Sequence, residues 1–185
     1  MRTFIAVGIS SGVRERIARI QAEFRKGNPD VKWVEPENLH LTLKFLGEVS
    51  EEKISGVIEK TRMAAYGISN FRVHLSGFGS FPNLKFPRVV WIGIKEGSEE
   101  LKNLSTRIEE NLSQLGFAKE KREFSAHLTI GRVRSPREKG KLVKKIEELE
   151  RSEVGEFSVE KVLVMESQLS SKGPTYRIIE EVNLK

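Results

Sequence analysis

The chain of 185 residues contains 38% hydrophobic and 31% charged residues, which is enough apolar sequence to bury the core of one domain over residues 1–185. It has no cysteine, which excludes disulfides, thiol nucleophiles and cysteine zinc sites, and no apolar run approaches the roughly 18 residues that a membrane helix needs. We therefore expect a soluble, cytoplasmic monomer that makes no use of the membrane, and the net charge of +6 favours polyanionic partners.

Strands and helices are predicted to alternate along the first half of the chain. Apolar residues alternate along the predicted strands and recur at helical spacing along the predicted helices. Ser50 is predicted to be the N-cap of the second helix, and Gly67 is predicted to end it. The predicted elements are a strand over Arg2–Ile9, a helix over Val13–Phe24, extended chain over Val31–Leu46, a helix from Ser50 to Gly67 and a strand over Phe71–Phe78.

The second half repeats this order, and each element follows its counterpart by about 87 positions. The predicted elements are strands over Arg88–Lys95, Phe124–Arg132 and Phe157–Met165, helices over Ser98–Leu115 and Glu138–Arg151, and a last strand over Tyr176–Asn183. Element order by itself is also compatible with chance similarity between ordinary alternating elements.

An internal duplication accounts for this offset, with repeat 1 over about 1–87, repeat 2 over about 88–175 and a closing strand over 176–184. Two units are too few for a solenoid, so they are expected to pack around a pseudo-two-fold axis. The predicted fold class is α+β and bilobal: two pseudo-symmetric βαβαβ-type repeats form two antiparallel sheets, with helices on the outside and a central groove.

One tetrapeptide pattern occurs in both repeats at the same offset. His40-Leu-Thr42-Leu and His127-Leu-Thr129-Ile have the form His-x-Thr-x with apolar x, and His127 follows His40 by 87 positions. Positions i and i+2 of a strand face the same side, so each imidazole should lie beside a threonine hydroxyl while the apolar residues enter the core. Two such polar faces would line one groove.

These residue types suit acid–base chemistry at phosphorus. Two imidazoles that titrate near neutral pH can serve as general base and general acid on opposite sides of one reacting atom. Two hydroxyls between them can donate hydrogen bonds to charged oxygens. A metal site is poorly supported, because threonine stands where a second histidine would complete a metal-binding pair.

The segment from Trp33 to Gly47, with the later His127-Leu-Thr-Ile-Gly-Arg132, resembles the RNA 2′,3′-cyclic phosphodiesterase family, historically called 2′-5′ RNA ligases. This family belongs to the two-histidine phosphoesterase superfamily, and the resemblance covers nearly the whole chain. It implies a bilobal α+β fold and hydrolysis of RNA 2′,3′-cyclic phosphate ends to 2′-phosphates, without metal or other cofactor.

The resemblance also implies a role for each motif residue. His40 would protonate the leaving 3′ oxygen, His127 would accept a proton from water, and Thr42 and Thr129 would hold the non-bridging phosphate oxygens. The implied partners are RNA ends or nucleotide cyclic phosphates, including tRNA fragments. Reversible 2′-5′ ligation at the same site, or hydrolysis of small cyclic nucleotides, are the alternatives, whereas a non-catalytic binding module would be expected to lack one of the four residues.

Four further residues are predicted to contact substrate. Lys44 shares the parity of His40 on its strand, so it could contact a phosphate. Arg132 has the parity opposite to that of His127, so it would face the groove only if the strand ends or bulges there. Tyr176 resembles a family position near the groove. Phe81 is a candidate for stacking on a base.

Most of the other aromatic and basic residues are expected to have structural rather than functional roles. Trp33 is a second candidate for base stacking, whereas Trp91 is expected in the core, and His74 has no repeat partner and should be inessential. The basic run from 132 to 145 is followed by glutamates, which favours a salt-bridged helix face over an RNA-binding one.

Overall fold

The computed structural model describes residues 1–185 as nine strands, four α-helices and one short 3-10 helix. The strands are β1 Arg2–Gly8, β2 Val31–Trp33, β3 His40–Glu48, β4 Phe71–Phe81, β5 Val89–Glu96, β6 His127–Val133, β7 Glu153–Val159, β8 Lys161–Ser170 and β9 Gly173–Asn183. The helices are α1 Ser11–Arg25, α2 Glu51–Ala65, α3 Ser98–Ser113 and α4 Lys139–Glu148, with the 3-10 turn at Pro36–Asn38.

All strands pair antiparallel, in two sheets. One sheet has the order β3-β1-β8-β9 and the other has the order β2-β6-β5-β4-β7. Helix α2 packs on β8 and β9, α1 on β7, and α4 on β4, so the helices cover the outer faces. The predicted bilobal α+β class is confirmed. None of the four helices is long and apolar enough to cross a membrane.

Strands β4 and β8 each lie in the sheet that contains the first strand of the other half. At the 87-residue offset β1 corresponds to β5, β3 to β6, and β4 to β8. In the rows β3-β1-β8 and β6-β5-β4 the corresponding strands therefore hold the same places, yet β4 lies with β5 and β8 lies with β1. This exchange ties the two lobes together, so that neither sheet is complete without the other repeat.

The prediction of one strand over Phe157–Met165 is wrong. The chain forms β7 up to Val159 and β8 from Lys161, and these two strands belong to different sheets. Apolar residues alternate up to Val159 and resume at Val162, and the charged pair Glu160-Lys161 between them shifts the alternation at the crossover. The carbonyl of Glu160, between the strands, accepts a hydrogen bond from the amide of Leu184 at 2.8 Å.

Serine residues stand at the N-caps of α1 and α2, and a glycine follows the end of α2. Ser10 caps α1, and its hydroxyl accepts a hydrogen bond from the amide of Val13 at 3.3 Å. Ser50 stands at the N-cap of α2 as predicted, although its side chain makes no capping hydrogen bond. Gly67 follows α2 with φ of 79°, a left-handed conformation that glycine adopts without strain.

Apolar side chains cover both faces of the four-stranded sheet. Ile5 and Val7 of β1 point into the main core between sheets and helices. Phe4 and Ala6, which alternate with them along β1, point to the opposite face. There they form a second, small cluster with Leu163 and Met165 of β8. This second face forms one wall of the central groove.

Candidate active site

A groove with a volume of about 1440 Å³ separates the two sheets. His40 and Thr42 from β3 line one wall, and His127 and Thr129 from β6 line the other. The structure therefore brings the two predicted His-Thr pairs together in one groove, although they lie 87 positions apart along the chain.

Strand alternation places each pair as expected. Leu41 and Leu43 are buried in the main core, while His40 and Thr42 between them are half-buried and face the groove. The same alternation holds in β6, where Leu128 and Ile130 are fully buried. Neither threonine hydroxyl hydrogen-bonds to another protein group, so both can donate to a ligand in the groove.

A backbone carbonyl two residues upstream lies near each imidazole, and only that of His40 accepts a hydrogen bond from the ring. The Nδ1–H of His40 donates to the carbonyl of Asn38. The carbonyl of Ser125, the counterpart of Asn38, faces Nδ1 of His127 and raises its pKa, although the contact falls short of a full hydrogen bond and Nδ1 has no other partner. In His40 the Asn38 carbonyl favours the tautomer with the proton on Nδ1, which leaves Nε2 of that ring free.

Two aromatic rings hold His40. The ring of Phe4 from β1 lies 4.9 Å from the imidazole, centroid to centroid. Tyr176 from β9 meets the imidazole edge-on at 5.1 Å and also packs on Phe4 at 5.0 Å. Tyr176, predicted to lie near the groove, thus contacts a motif histidine. Burial raises the pKa of the Tyr176 hydroxyl.

Two aromatic rings also hold His127. Trp91, the counterpart of Phe4 at the 87-residue offset, lies 6.4 Å from the imidazole. Phe81, at the end of β4, meets the imidazole edge-on at 4.7 Å. Trp91 lies across from Gly79, where a Cβ would approach its ring to 2.2 Å, so only glycine leaves room for the indole. Trp91 therefore packs behind the histidine rather than in the main core where it was expected.

Burial lowers the pKa of both histidines. For His40 the loss of solvation dominates, and the hydrogen bond to Asn38 opposes it. For His127 burial again lowers the pKa, the Ser125 carbonyl raises it, and the positive charge of Arg132 lowers it further. Both rings are thus biased towards the neutral form in the free protein.

A β-bulge turns Arg132 into the groove. In the pairing of β5 with β6, Val90 faces Gly131 and Trp91 faces Thr129, so Ile130 is the extra residue. The side chain of Arg132 therefore lies on the side of Thr129 rather than in the core. It is exposed, lines the groove and makes no ion pair or hydrogen bond within the protein.

The equivalent bulge in β3 places the side chain of Lys44 on the core side of the strand, where it has partners within the protein, although the residue borders the groove. Ile5 pairs with Lys44 and Ala6 with Thr42, so Leu43 is extra and Lys44 shares the core side of Ile5. Its ammonium donates to Glu109 of α3 at 2.7 Å and to the carbonyl of Ala118 at 2.9 Å. The side chain is only 5% exposed, and we assign it a structural role.

The remaining sequence candidates lie outside the chemistry. Trp33 is 7% exposed and packs on Phe24 at 5.2 Å, so it is a core residue and not a stacking surface. His74 contacts the carboxylate of Glu153 at the surface. In the basic run, Lys141 pairs with Glu138 and Lys145 with Glu148, in agreement with a salt-bridged helix.

Several groove residues were missed in the sequence. The Asn38 side chain donates to the carbonyl of Pro174 at 3.0 Å, which fastens the start of β9 beside His40. Phe4 could have been found, because it is the counterpart of Trp91. The cations Lys32, Arg88, Lys119, Arg122 and Lys172 also line the groove without a carboxylate partner, and only their position in the fold connects them.

The comparisons with known proteins agree with this geometry. The family model described as LigT-like phosphoesterase matches residues 7–91 and again 92–176. An RNA 2′,3′-cyclic phosphodiesterase of Methanothermobacter thermautotrophicus is 39% identical, over 100% of this chain and 99% of the relative. Another, of Methanocaldococcus jannaschii, is 41% identical over 98% and 99%.

Solved structures share the fold. A crystal structure of a Thermus thermophilus protein matches with a TM-score of 0.83 and 29% identity, over 100% of this chain and 98% of that one. E. coli LigT, solved with 3′-AMP, matches in fold with a TM-score of 0.79 at 23% identity, over 99% and 97%. The predicted family resemblance and the prediction of a phosphodiesterase enzyme are both confirmed. With two matching repeats and relatives aligned over their full length, the chain belongs to the LigT-like phosphoesterase family.

Proposed function

We propose that the protein hydrolyses the 2′,3′-cyclic phosphate ends of RNA to 2′-phosphomonoesters, with two histidines as acid and base and without a metal ion. The observation that carries the proposal is the pair of His-Thr motifs, one from β3 and one from β6, that line the same groove. Relatives that are 39% and 41% identical bear the name RNA 2′,3′-cyclic phosphodiesterase, which supports the choice of substrate.

In the proposed reaction, Nε2 of His127 takes a proton from water as the water oxygen attacks phosphorus. The bond from phosphorus to the 3′ oxygen breaks, and protonated His40 delivers its proton to that oxygen, which leaves a 2′-phosphomonoester. The hydroxyls of Thr42 and Thr129 donate to the non-bridging oxygens, whose charge grows in the transition state.

The charges around the histidines support this division of roles. Arg132 lowers the pKa of His127, which favours the neutral imidazole that a base requires. No cation contributes to the lowered pKa of His40, and a bound phosphate anion would favour its protonated form. The unpaired guanidinium of Arg132 is also suited to a phosphate oxygen.

The groove cations suit RNA ends, tRNA fragments among them, or nucleotide cyclic phosphates. Lys32, Arg88, Arg132 and Lys172 line the groove and have no carboxylate partner. A polyanion would release counterions at such a surface, so the strength of binding should fall as salt increases.

The test uses an oligoribonucleotide that ends in a 2′,3′-cyclic phosphate, incubated with the protein in excess EDTA and followed by phosphorus NMR. Formation of a 2′-phosphate supports the proposal, and His40→Ala or His127→Ala should lower the rate by about 10² to 10⁴. His74→Ala is the matched control, because His74 lies on the surface and should leave the rate unchanged.

Other outcomes identify the alternatives. With a 5′-hydroxyl RNA present, attack by that hydroxyl in place of water would give a 2′-5′ linkage, so joined product without 2′-phosphate would point to ligation. Turnover of a mononucleotide 2′,3′-cyclic phosphate with none of the oligonucleotide would point to small nucleotides. An unchanged cyclic end in both substrates contradicts the proposed function.

A further inference from the structure

The bulge in β6 is held by a side chain from outside its sheet. Ile130 is the extra residue of this bulge, and its carbonyl accepts a hydrogen bond from the amide of Val34 at 2.9 Å. The same carbonyl accepts a second hydrogen bond, at 3.0 Å, from Nε2 of Gln21 on α1. Nε2 of Gln21 also donates to the carbonyl of Val34 at 2.9 Å. One side-chain amide therefore ties the bulge of the second motif strand to the chain beyond β2 and to a helix of the first repeat.

Gln21 is a costly residue at its position on α1. It lies on the buried face of the helix with Val13, Ile17 and Phe24, and it is fully buried. Its Oε1 has no hydrogen-bond partner within the protein. An unpaired buried oxygen lowers stability, so stability alone would favour an apolar side chain here. The glutamine is explained by what its NH₂ group holds, which is the bulge.

The bulge in β3 is held in a corresponding way. Leu43 is its extra residue, and the carbonyl of Leu43 accepts a hydrogen bond from the hydroxyl of Ser105 on α3 at 3.3 Å. Ser105 is buried, and α3 is the counterpart of α1 at the 87-residue offset. Each bulge is thus held by a buried polar side chain from the first helix of the opposite repeat. Because the contact recurs on both motif strands, it belongs to the bulges and not to the packing of one helix.

We propose that Gln21 is a positioning residue for the phosphate site, which keeps the guanidinium of Arg132 in the groove by holding the carbonyl of Ile130. The inference rests on the proposed function, in which Arg132 contacts a phosphate oxygen. Arg132 follows Ile130 by two residues, and it faces the groove because the bulge reverses the parity beyond Thr129. Without the hydrogen bond from Gln21 the bulge can relax, and the guanidinium then spends less time at the phosphate.

The test replaces Gln21 by methionine, which has a similar length but lacks the NH₂ donor. The wild type, Gln21→Met, Arg132→Gln and the double variant are assayed for kcat/KM on the oligoribonucleotide that ends in a 2′,3′-cyclic phosphate. If Gln21 acts through Arg132, Gln21→Met lowers kcat/KM about fivefold or more in the wild type, but less than about twofold in Arg132→Gln. Equal losses in the two backgrounds overturn the inference, because effects that do not pass through Arg132 are additive.

Thr61→Val is the matched control for the loss of a buried polar group. Thr61 is fully buried on α2, lies outside the groove, and donates its hydroxyl to the carbonyl of Val57 in the same helix at 2.8 Å. This variant loses a buried hydrogen bond that holds no bulge, so its kcat/KM should stay within about twofold of the wild type. A loss as large as that of Gln21→Met would show that reduced stability is sufficient, which overturns the inference.

A titration of His127 separates failure of this inference from failure of the proposed function, because it needs no turnover. The charge of Arg132 lowers the pKa of His127. That pKa is followed by NMR on the ring protons, which are assigned by their loss in His127→Ala. Gln21→Met should raise the pKa in the same direction as Arg132→Gln, and the double variant should raise it no further than Arg132→Gln alone. A pKa that rises in Arg132→Gln but not in Gln21→Met overturns the inference, whatever the hydrolysis assay shows.

Gln21→Glu takes the place of Gln21→Met if the methionine variant does not fold. Burial favours the neutral carboxyl, which offers one donor for two carbonyls. This variant should lower kcat/KM less than Arg132→Gln does and raise the pKa of His127 part of the way. A loss of kcat/KM that is undiminished in the Arg132→Gln background, or an unchanged pKa of His127, overturns the inference.

Discussion

At the scale of single residues, the site depends on how each imidazole is held. A carbonyl on one nitrogen and aromatic rings on the faces and edges leave one nitrogen for chemistry. The same environment removes solvent and lowers the pKa of both rings. Contacts within the protein thus favour the neutral form of both rings in the free protein.

The pH profile tests the influence of Arg132 on His127. Because burial and Arg132 lower the pKa of His127, the acidic limb of kcat/KM should lie below the ordinary histidine pKa of about 6.5. Arg132→Gln removes a positive charge, which raises that pKa and moves the acidic limb to higher pH. It should also lower kcat/KM about tenfold or more by removing a charged phosphate contact.

Arg134→Gln is the control for this profile. Arg134 is exposed on the same segment and does not line the groove, so its loss should leave the acidic limb in place. An acidic limb that stays fixed in Arg132→Gln would contradict the assigned proximity of the two charges.

At the scale of secondary structure elements, one extra residue in each motif strand determines which of the following side chains lie on the groove side of the strand. The bulges after Thr42 and Thr129 reverse the parity of the residues beyond them. Parity continued without a bulge would place Lys44 in the groove and Arg132 in the core. The structure has the opposite arrangement, and it buries Lys44 against α3.

Lys44→Met should reveal this structural role as a loss of stability. The partners Lys44 and Glu109 are 5% and 15% exposed, so removing the cation leaves a carboxylate buried without its partner. The free energy of unfolding should fall by about 3 kcal/mol, measured by urea denaturation. Lys95→Met, at the exposed pair with Glu153, should cost less than about 1 kcal/mol.

The double variant Lys44→Met with Glu109→Leu completes the test. Removing both charges should recover much of the stability, because no unpaired group remains. If Lys44→Met keeps its full stability but loses affinity for substrate, the structural role is contradicted and the phosphate contact predicted from strand parity is supported instead.

At the scale of the whole molecule, the groove exists because each repeat contributes a strand to the other sheet. The exchange of β4 and β8 brings Phe81 of the first repeat onto His127 of the second. Strand β9, at the end of the chain, brings Tyr176 onto His40 of the first repeat. Each motif histidine is thus supported by a residue from a distant part of the chain.

Salt dependence tests whether the cations along the groove act together on RNA. For an oligonucleotide substrate, log kcat/KM at low substrate should fall linearly with log salt concentration. Replacing Lys32 and Lys172 by Gln should make that slope shallower by about 0.7 for each phosphate that the variant no longer neutralises. A mononucleotide substrate carries fewer phosphates, so its slope should change less.

Lys145→Gln is the control, because this lysine lies on α4 and pairs with Glu148. Equal changes of slope in Lys145→Gln and in the groove variant would show that net charge, and not the groove, attracts the substrate.

The sequence by itself determined the features that depend on periodicity and repetition. Alternation along β3 and β6 and the 87-residue offset sufficed to predict two lobes, one groove and a facing pair of His-Thr motifs. These properties are local or repeated, so they can be seen without knowing which strands pair. The family resemblance followed from the same residues.

Only the tertiary structure decided which sheet each strand joins and which way the residues beyond the motifs point. The charged pair Glu160-Lys161 breaks the apolar alternation between Phe157 and Met165, but this break does not show which sheet each part of the segment joins. A bulge is defined by pairing with a partner strand. The pairing of β3 with β1 and of β6 with β5 therefore determines the side of the strand on which Lys44, Phe45 and Arg132 lie. Parity is a property of one strand, whereas register belongs to two strands that lie far apart in the chain.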